Sequence, residues 1–143
     1  YLKIVKREKI DFSLLIVDLD DFKNINDSYG HEIGDEVLIQ FVKIARETIR
    51  ENDLIIRFGG DEFILLLPNT SINNAKFLAS KIINRISEYN MTNEIKFFVS
   101  VGVSDYQEKD LNIDDIIIRA DNSLYEAKRA GKNRVIWKSF IDC

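Results

Sequence analysis

The sequence predicts an α/β domain: a mixed central sheet of about five strands with helices on both faces. Three observations lead there. Apolar runs of strand length alternate with longer stretches whose apolar residues recur at helical spacing. Two of those runs, 54–58 and 63–67, stand four residues apart and read as a hairpin. The remaining runs are separated by helices, so the chain crosses over between them, and hairpin plus crossovers make a sheet of mixed sense.

Each element has its own signal. Residues 1–9 are a short amphipathic helix. Residues 12–19 are a strand, apolar on both faces until Asp18, as expected of a strand covered on both sides. Asp20 is placed to cap a helical turn over 21–27. Residues 30–50 form a long helix with Val37, Leu38, Phe41, Ala45 and Ile49 on one stripe. The hairpin follows, and Pro68 stops its second strand. Residues 73–89 are a helix carrying Phe77, Ile82, Ile83 and Ile86. Residues 95–103 are a strand in which Gly102 marks a bulge or a close approach. Residues 113–130 form a helix capped by Gly131. Residues 134–138 are a last short strand.

Bulk composition narrows the function. The chain has 143 residues, enough for one domain with a real core, so residues 1–143 are expected to form a single unit. It opens at Tyr1 rather than Met, which suggests a domain excised from a larger protein. A net charge of −4 opposes broad nucleic-acid binding. The one cysteine, Cys143, excludes a disulfide framework, and the one histidine, His31, excludes any site needing two. No apolar run approaches the roughly 18 residues of a membrane span, so no membrane contact is expected of this segment.

The most informative residues are Gly59-Gly60-Asp61-Glu62-Phe63, at the hairpin bend. Paired glycines permit positive φ and let a bulky polyanion approach the backbone. Two acids on a tight turn repel unless a cation offsets them, and a divalent metal carrying a nucleotide phosphate does that. A second acidic cluster, Asp18-Leu19-Asp20-Asp21, ends the first strand, where α/β proteins place ligands. A calcium loop beginning at Asp18 fails, because its sixth position is Lys23 rather than Gly and its twelfth Tyr29 rather than Glu. Capping and solvated charge remain the plain alternative. If the first strand pairs with the hairpin, Asp18 and Asp61 converge, and with a backbone carbonyl such as that of Leu19 they suit Mg2+ or Mn2+.

These residues resemble a known family. The stretch from Asp18 to Asp35 is similar to the first signature of GGDEF-domain diguanylate cyclases. Arg57-Phe58-Gly59-Gly60-Asp61-Glu62-Phe63 resembles the second, naming signature. Ser100-Val101-Gly102-Val103 resembles the third, and Ala120-Asp121 with Leu124-Tyr125-Glu126-Ala127-Lys128 and Gly131-Lys132-Asn133 the fourth. The blocks keep the family's order.

The resemblance implies a fold like the palm of nucleotidyl cyclases and polymerases, and condensation of two GTP into cyclic di-GMP with release of two pyrophosphates. It implies two domains face to face, each holding one GTP: a homodimer of domains, in the cytoplasm, whether or not the whole protein is tethered to a membrane. Asp18, the Leu19 carbonyl and Asp61 would hold Mg2+ (or Mn2+), two per GTP. Asp61 would also accept the proton, with Glu62 assisting. Asn26, His31 and Asp35 would contact guanine, whose N1–H and amino group one carboxylate accepts together. Lys23, Lys128 and Lys132 would hold phosphates. The family commonly carries arginine at the position of Lys132, and lysine keeps the charge without the bidentate fork. Gly59 and Gly60 would supply turn backbone. Arg50-Glu51-Asn52-Asp53 is an R-x-x-D at the offset of the family's inhibitory site for cyclic di-GMP, with Lys81 or Arg85 as helper. The alternative is a catalytically inactive receptor of the same fold that binds GTP or cyclic di-GMP. Such receptors commonly lose the acids that this chain keeps.

Overall fold

A computed structural model of the chain describes residues 2–137. Tyr1, Lys138 and Cys143 lie outside the described residues. The elements run α1 (Leu2–Glu8), β1 (Phe12–Leu19), α2 (Phe22–Tyr29), α3 (His31–Thr48), β2 (Leu54–Arg57), β3 (Glu62–Pro68), α4 (Ile72–Met91), β4 (Val99–Asp105), α5 (Ile113–Arg129) and β5 (Val135–Trp137). The order matches the expected one. The sheet is β2-β3-β1-β4-β5, antiparallel except where β4 and β5 run parallel across the α5 crossover.

The period of two along β1 divides the core. Leu15, Val17 and Leu19 face α3 and α4, where they meet Val37, Phe41, Ala45, Ala79, Ile82 and Ile86. Leu14 and Ile16 face α1 and α5, where they meet Val5, Ile116, Ala120 and Leu124. Apolar residues on both faces of this strand therefore follow from helices on both faces. Asp18 continues the second series, so its side chain is on the α5 side.

β4 explains how closely α5 approaches. Its residues alternate valine toward α3 and α4 with Ser100, Gly102 and Ser104 toward α5. A Cβ on Gly102 would lie 2.0 Å from the Ala120 carbonyl oxygen and 2.5 Å from the Leu124 nitrogen. Of the two readings of Gly102, close approach is therefore the observed one, and the pairing register passes through it without a bulge. The Ser104 hydroxyl donates to the Ile116 carbonyl at 2.7 Å. Small side chains on this strand let α5 lie against the sheet and carry Lys128, in its last turn, down to the end of β1.

Three local expectations are corrected. Asp20 is not a helix cap: Asp21 occupies that position with φ 55° and makes no side-chain cap bond, while Asp20 is buried. β4 begins at Val99, not Ile95, because the preceding turn is held instead by Asn90, whose amide donates to the Phe97 carbonyl and accepts from its N–H. Gly59 and Gly60 do not use positive φ, which among the described glycines occurs at Gly30 and Gly131.

Candidate active site

Strand pairing builds the site. β1 and β3 set Asp18 directly opposite Glu62, and β1 and β4 set Asp18 opposite Ser100. β3 begins at Glu62, so the bend itself holds Gly59, Gly60 and Asp61. It is pinned to β1 by the Leu19 N–H donating to the Asp61 carbonyl at 3.0 Å. Inside the bend, Arg57 donates from Nε to the Gly59 carbonyl at 3.2 Å and from Nη2 to the Gly60 carbonyl at 2.6 Å. At Gly59 glycine serves through space rather than through φ. A Cβ on Gly60 would meet nothing within 4 Å, whereas one on Gly59 would press at 3.3 Å on Glu62.

Asp61 lies beside Asp18, near enough for its side chain to act on the Asp18 carboxyl. Asp18 Oδ2 pairs with Lys128 Nζ at 2.9 Å, and Asp18 Oδ1 is buried with no donor. Burial pushes the Asp18 carboxyl up to about 6; Lys128 opposes the rise and Asp61 adds to it. Glu62 is raised as well, by burial first and then by Asp61 and Asp121. Lys128 is held above the usual lysine range because its bonds to Asp18 and Asp20 outweigh the cost of burial. The arrangement is an acidic pair short of positive charge, with one buried carboxylate oxygen unsatisfied. Hard divalent cations suit such a donor set. Among the described residues no three carboxylate, His or Cys side chains converge on one point. A metal here would draw its remaining ligands from the Leu19 carbonyl, water and a substrate's phosphates.

The expected guanine residues lie on α2 and at the start of α3, the two helices that follow β1 in the chain. A Cβ on Gly34 would fall 1.8 Å from Asn26 Oδ1, so Gly34 makes room for the Asn26 side chain against α3. Asp35 follows at once in the chain, exposed, and His31 is exposed at the start of the same helix. Lys23 lies exposed on α2. Lys132 Nζ reaches Asp21 at 2.8 Å. Asp20 joins the parts: its Oδ1 accepts from Ser100 Oγ at 2.7 Å, its Oδ2 from the Asn133 N–H at 2.9 Å, and Lys128 stands 3.4 Å away.

Arg50 and Asp53 lie elsewhere. Arg50 donates to the Pro68 carbonyl at 2.7 Å and to the Thr70 hydroxyl, and Thr70 is tied through its carbonyl to Ser13 at the start of β1. That is five residues from Asp18, roughly 17 Å at about 3.3 Å per residue. The Asp53 carboxylate is buried, accepts from the Arg50 N–H at 2.8 Å, and leaves Oδ1 without a partner. Arg50, Thr70, Phe77 and Lys81 line a hollow of about 260 Å³. Of the two helper candidates, Lys81 faces that hollow, whereas Arg85 is engaged by Thr48 Oγ1 at 2.9 Å. A larger hollow of about 630 Å³, on the α1 side, contains none of these residues. The residues missed by sequence reasoning are Arg57, Gly34 and Asp20. Of these, Arg57 was visible as the basic residue just before the glycine pair.

The mixed five-stranded sheet with helices on both faces and an acidic centre at one end defines a palm-like α/β domain, and comparison with known proteins agrees. The model of the family described as "Diguanylate cyclase, GGDEF domain" matches residues 1–134. The chain belongs to that family. It is 43% identical over 126 residues to the diguanylate cyclase DgcM of Escherichia coli K12, covering 88% of this chain and 30% of that protein. It is 41% identical over 131 residues to diguanylate cyclase A of Treponema denticola, covering 90% and 35%. Among solved structures, the active GGEEF domain of a diguanylate cyclase from Vibrio cholerae superposes with a TM-score of 0.91 at 37% identity, over 96% of this chain and 89% of that one. The GGDEF domain of DgcB from Caulobacter crescentus, in complex with c-di-GMP, gives 0.87 at 26% identity, over 95% and 82%. The chain spans about a third of the length of these curated relatives. Among the described residues no helix is long and apolar enough to cross a membrane.

Proposed function

We propose that this chain is the catalytic domain of a diguanylate cyclase, condensing two GTP into cyclic di-GMP with loss of two pyrophosphates. In this reading it works in the cytoplasm as one domain of a longer regulatory protein. The observation that carries the reading is the meeting of Asp18 and Asp61, with Asp18 Oδ1 buried and unsatisfied. A divalent ion held by Asp18, Asp61 and the Leu19 carbonyl, when bound, supplies acidity to the attacking ribose hydroxyl and charge to offset the departing pyrophosphate.

The chain's own residues do the rest. Asp61 accepts the 3′-hydroxyl proton at its carboxylate, and Glu62, whose carboxyl is pushed up by burial and by Asp61, assists as the neighbouring acid. Asp35 accepts the paired donors of guanine, and Asn26, seated over Gly34, fixes the base's orientation. Adenine lacks that donor pair and would leave the carboxylate unpaired. Lys23, Lys128 and Lys132 hold phosphate oxygens. The open bend at Gly60 leaves space for the polyanion. Because each domain offers one such centre, a second copy presents the second GTP, which makes the reaction dependent on pairing. Arg50, Asp53 and Lys81 form the site at which the product returns as inhibitor.

The test is incubation with GTP and Mg2+ of the domain fused to a dimerising helix, with chromatography of the products. The unsubstituted protein should yield cyclic di-GMP. Asp61→Ala should yield none while keeping its circular dichroism spectrum. Full activity in that variant would remove the metal and base assignments.

A further inference from the structure

Lys128 is shared between two carboxylates of unlike character. One is Asp18, at 2.9 Å, whose other oxygen is unsatisfied. The other is Asp20, at 3.4 Å, whose oxygens are both already engaged, by Ser100 Oγ at 2.7 Å and by the Asn133 N–H at 2.9 Å. The Asp20 N–H is itself bound to the Phe98 carbonyl at 2.8 Å. Asp20 is thus fixed from β4 and from the loop after α5. Its side chain is 4% exposed, against 15% for Asp18.

The loop it holds is itself unusual: Gly131, Lys132 and Asn133 take φ of 122°, 65° and 49° in succession. Left-handed conformations at lysine and asparagine persist only where the surroundings impose them, and the bond from Asn133 N–H to Asp20 is one such restraint. The helix bearing Lys128 is equally constrained, since α5 lies in contact with β4 at Gly102. The mobile part is the lysine side chain. Passing from Asp18 to Asp20 needs only torsions near its end.

We propose that Lys128 serves as the acidic pair's own counter-cation until a divalent ion takes Asp18, and that Asp20 is the positioning residue that then keeps it in the site. This rests on the metal-binding reading of Asp18 and Asp61. The charge balance supports the exchange. Without metal, Lys128 stands between Asp18 and Asp20, with Asp61 beside Asp18, and it is drawn to Asp18, the less satisfied of its two partners. With Asp18 and Asp61 engaged by a dication, repulsion drives Lys128 off Asp18, and the fixed charge of Asp20 prevents its loss to solvent. Lys128 then stands beside the metal with donors to spare, where a nucleotide phosphate arrives. Lys132 lacks such a holder, because its partner Asp21 is 55% exposed and the pair is screened by water.

Two measurements on the full chain without nucleotide test this, both with Mn2+ as probe. In the first, Mn2+ affinity is followed by electron paramagnetic resonance. Lys128→Met should bind Mn2+ about threefold to tenfold more tightly than the unsubstituted chain, because it removes the competing cation. Unchanged or weaker binding overturns the proposal. In the second, acetylation of Lys128 is followed by mass spectrometry. Mn2+ should raise its reactivity by less than about twofold in the unsubstituted chain and by about fivefold or more in Asp20→Asn, where the retaining charge is gone. Equal Mn2+ effects in the two chains overturn the role of Asp20. The first measurement stands even where Asp20→Asn fails to fold. Absence of Mn2+ binding by the unsubstituted chain overturns this inference, and absence that persists with a non-hydrolysable GTP analogue present overturns the metal-site reading itself. Binding that ignores Lys128 overturns only this inference.

Discussion

Replacing Asp18 by asparagine should make the metal-free protein more stable while removing its function. The Asp18 carboxyl rises from 3.8 to about 6 on folding, a net figure that already contains the attraction of Lys128. Two units at about 1.4 kcal/mol each set the cost of ionising it in the fold at roughly 3 kcal/mol, an upper bound. A neutral amide avoids that cost, so Asp18→Asn should gain about 1–3 kcal/mol at pH 8, or roughly 3–10 °C in Tm. The sign has a pH signature. Below 3.8 the carboxyl is protonated in folded and unfolded chains alike, and the wild type loses nothing. As pH rises from there the unfolded chain gives up its proton first. Wild-type stability therefore falls relative to the variant until the pH passes about 6, above which the gap is complete. Thermal melts of both proteins in chelator at pH 4.5 and pH 8 measure it. Adding Mg2+ should then stabilise the wild type and leave the variant unmoved. A variant less stable than wild type at pH 8 in chelator, or a gap of equal size at both pH values, refutes the reasoning.

Other expectations are simpler. Gly102→Ala should cost about 3 kcal/mol or more in urea denaturation, because its methyl meets backbone of α5 at 2.0 Å and only a shift of the helix relieves the clash. A cost below about 1 kcal/mol would mean α5 is not seated as described. Arg57→Met should lower turnover about tenfold or more while moving stability by less than about 1 kcal/mol, since it releases only exposed bonds that shape the bend; an equal loss of both would make Arg57 merely structural. Arg50→Ala should weaken cyclic di-GMP binding about tenfold or more in calorimetry and relieve inhibition. An unchanged inhibition constant would remove Arg50 from the regulatory site.

Much of the fold was legible because its signals are local. The apolar runs on both faces of β1, the stripe on α3 and the hairpin flanking Gly59-Gly60 are readable within a few residues. Asp18 and Asp61 could be joined from sequence by one assumption, that β1 pairs with the hairpin, and the register puts them at the same end of neighbouring strands. Asp20 was misread because a strand-ending acid before a helix looks like a cap. Its actual partners, Ser100 and Asn133, are 80 and 113 residues away, and no window contains them. The valine–small alternation of β4 was present in the sequence as Val99-Ser100-Val101-Gly102-Val103-Ser104, but only α5 overhead gives it meaning.

The same register argues that this end of the sheet is shaped by a ligand rather than by folding. Like charges directly opposite one another on paired strands are unfavourable, and here Asp18 faces Glu62 with Asp61 adjoining. Five residues earlier on the same two strands, Ser13 faces Leu67 and the neighbouring pairs are apolar, so the ladder itself imposes no need for acids. A chain selected only for stability would continue the Leu14, Ile16 series with another apolar residue at 18, which α5 could cover. It places a carboxylate there instead, lays Lys128 across it, and keeps Ser100 small enough to fix Asp20 beside them. Each of these choices raises the free energy of the metal-free fold or holds a charge in place. They become favourable together only when a dication and a polyphosphate complete the charge balance.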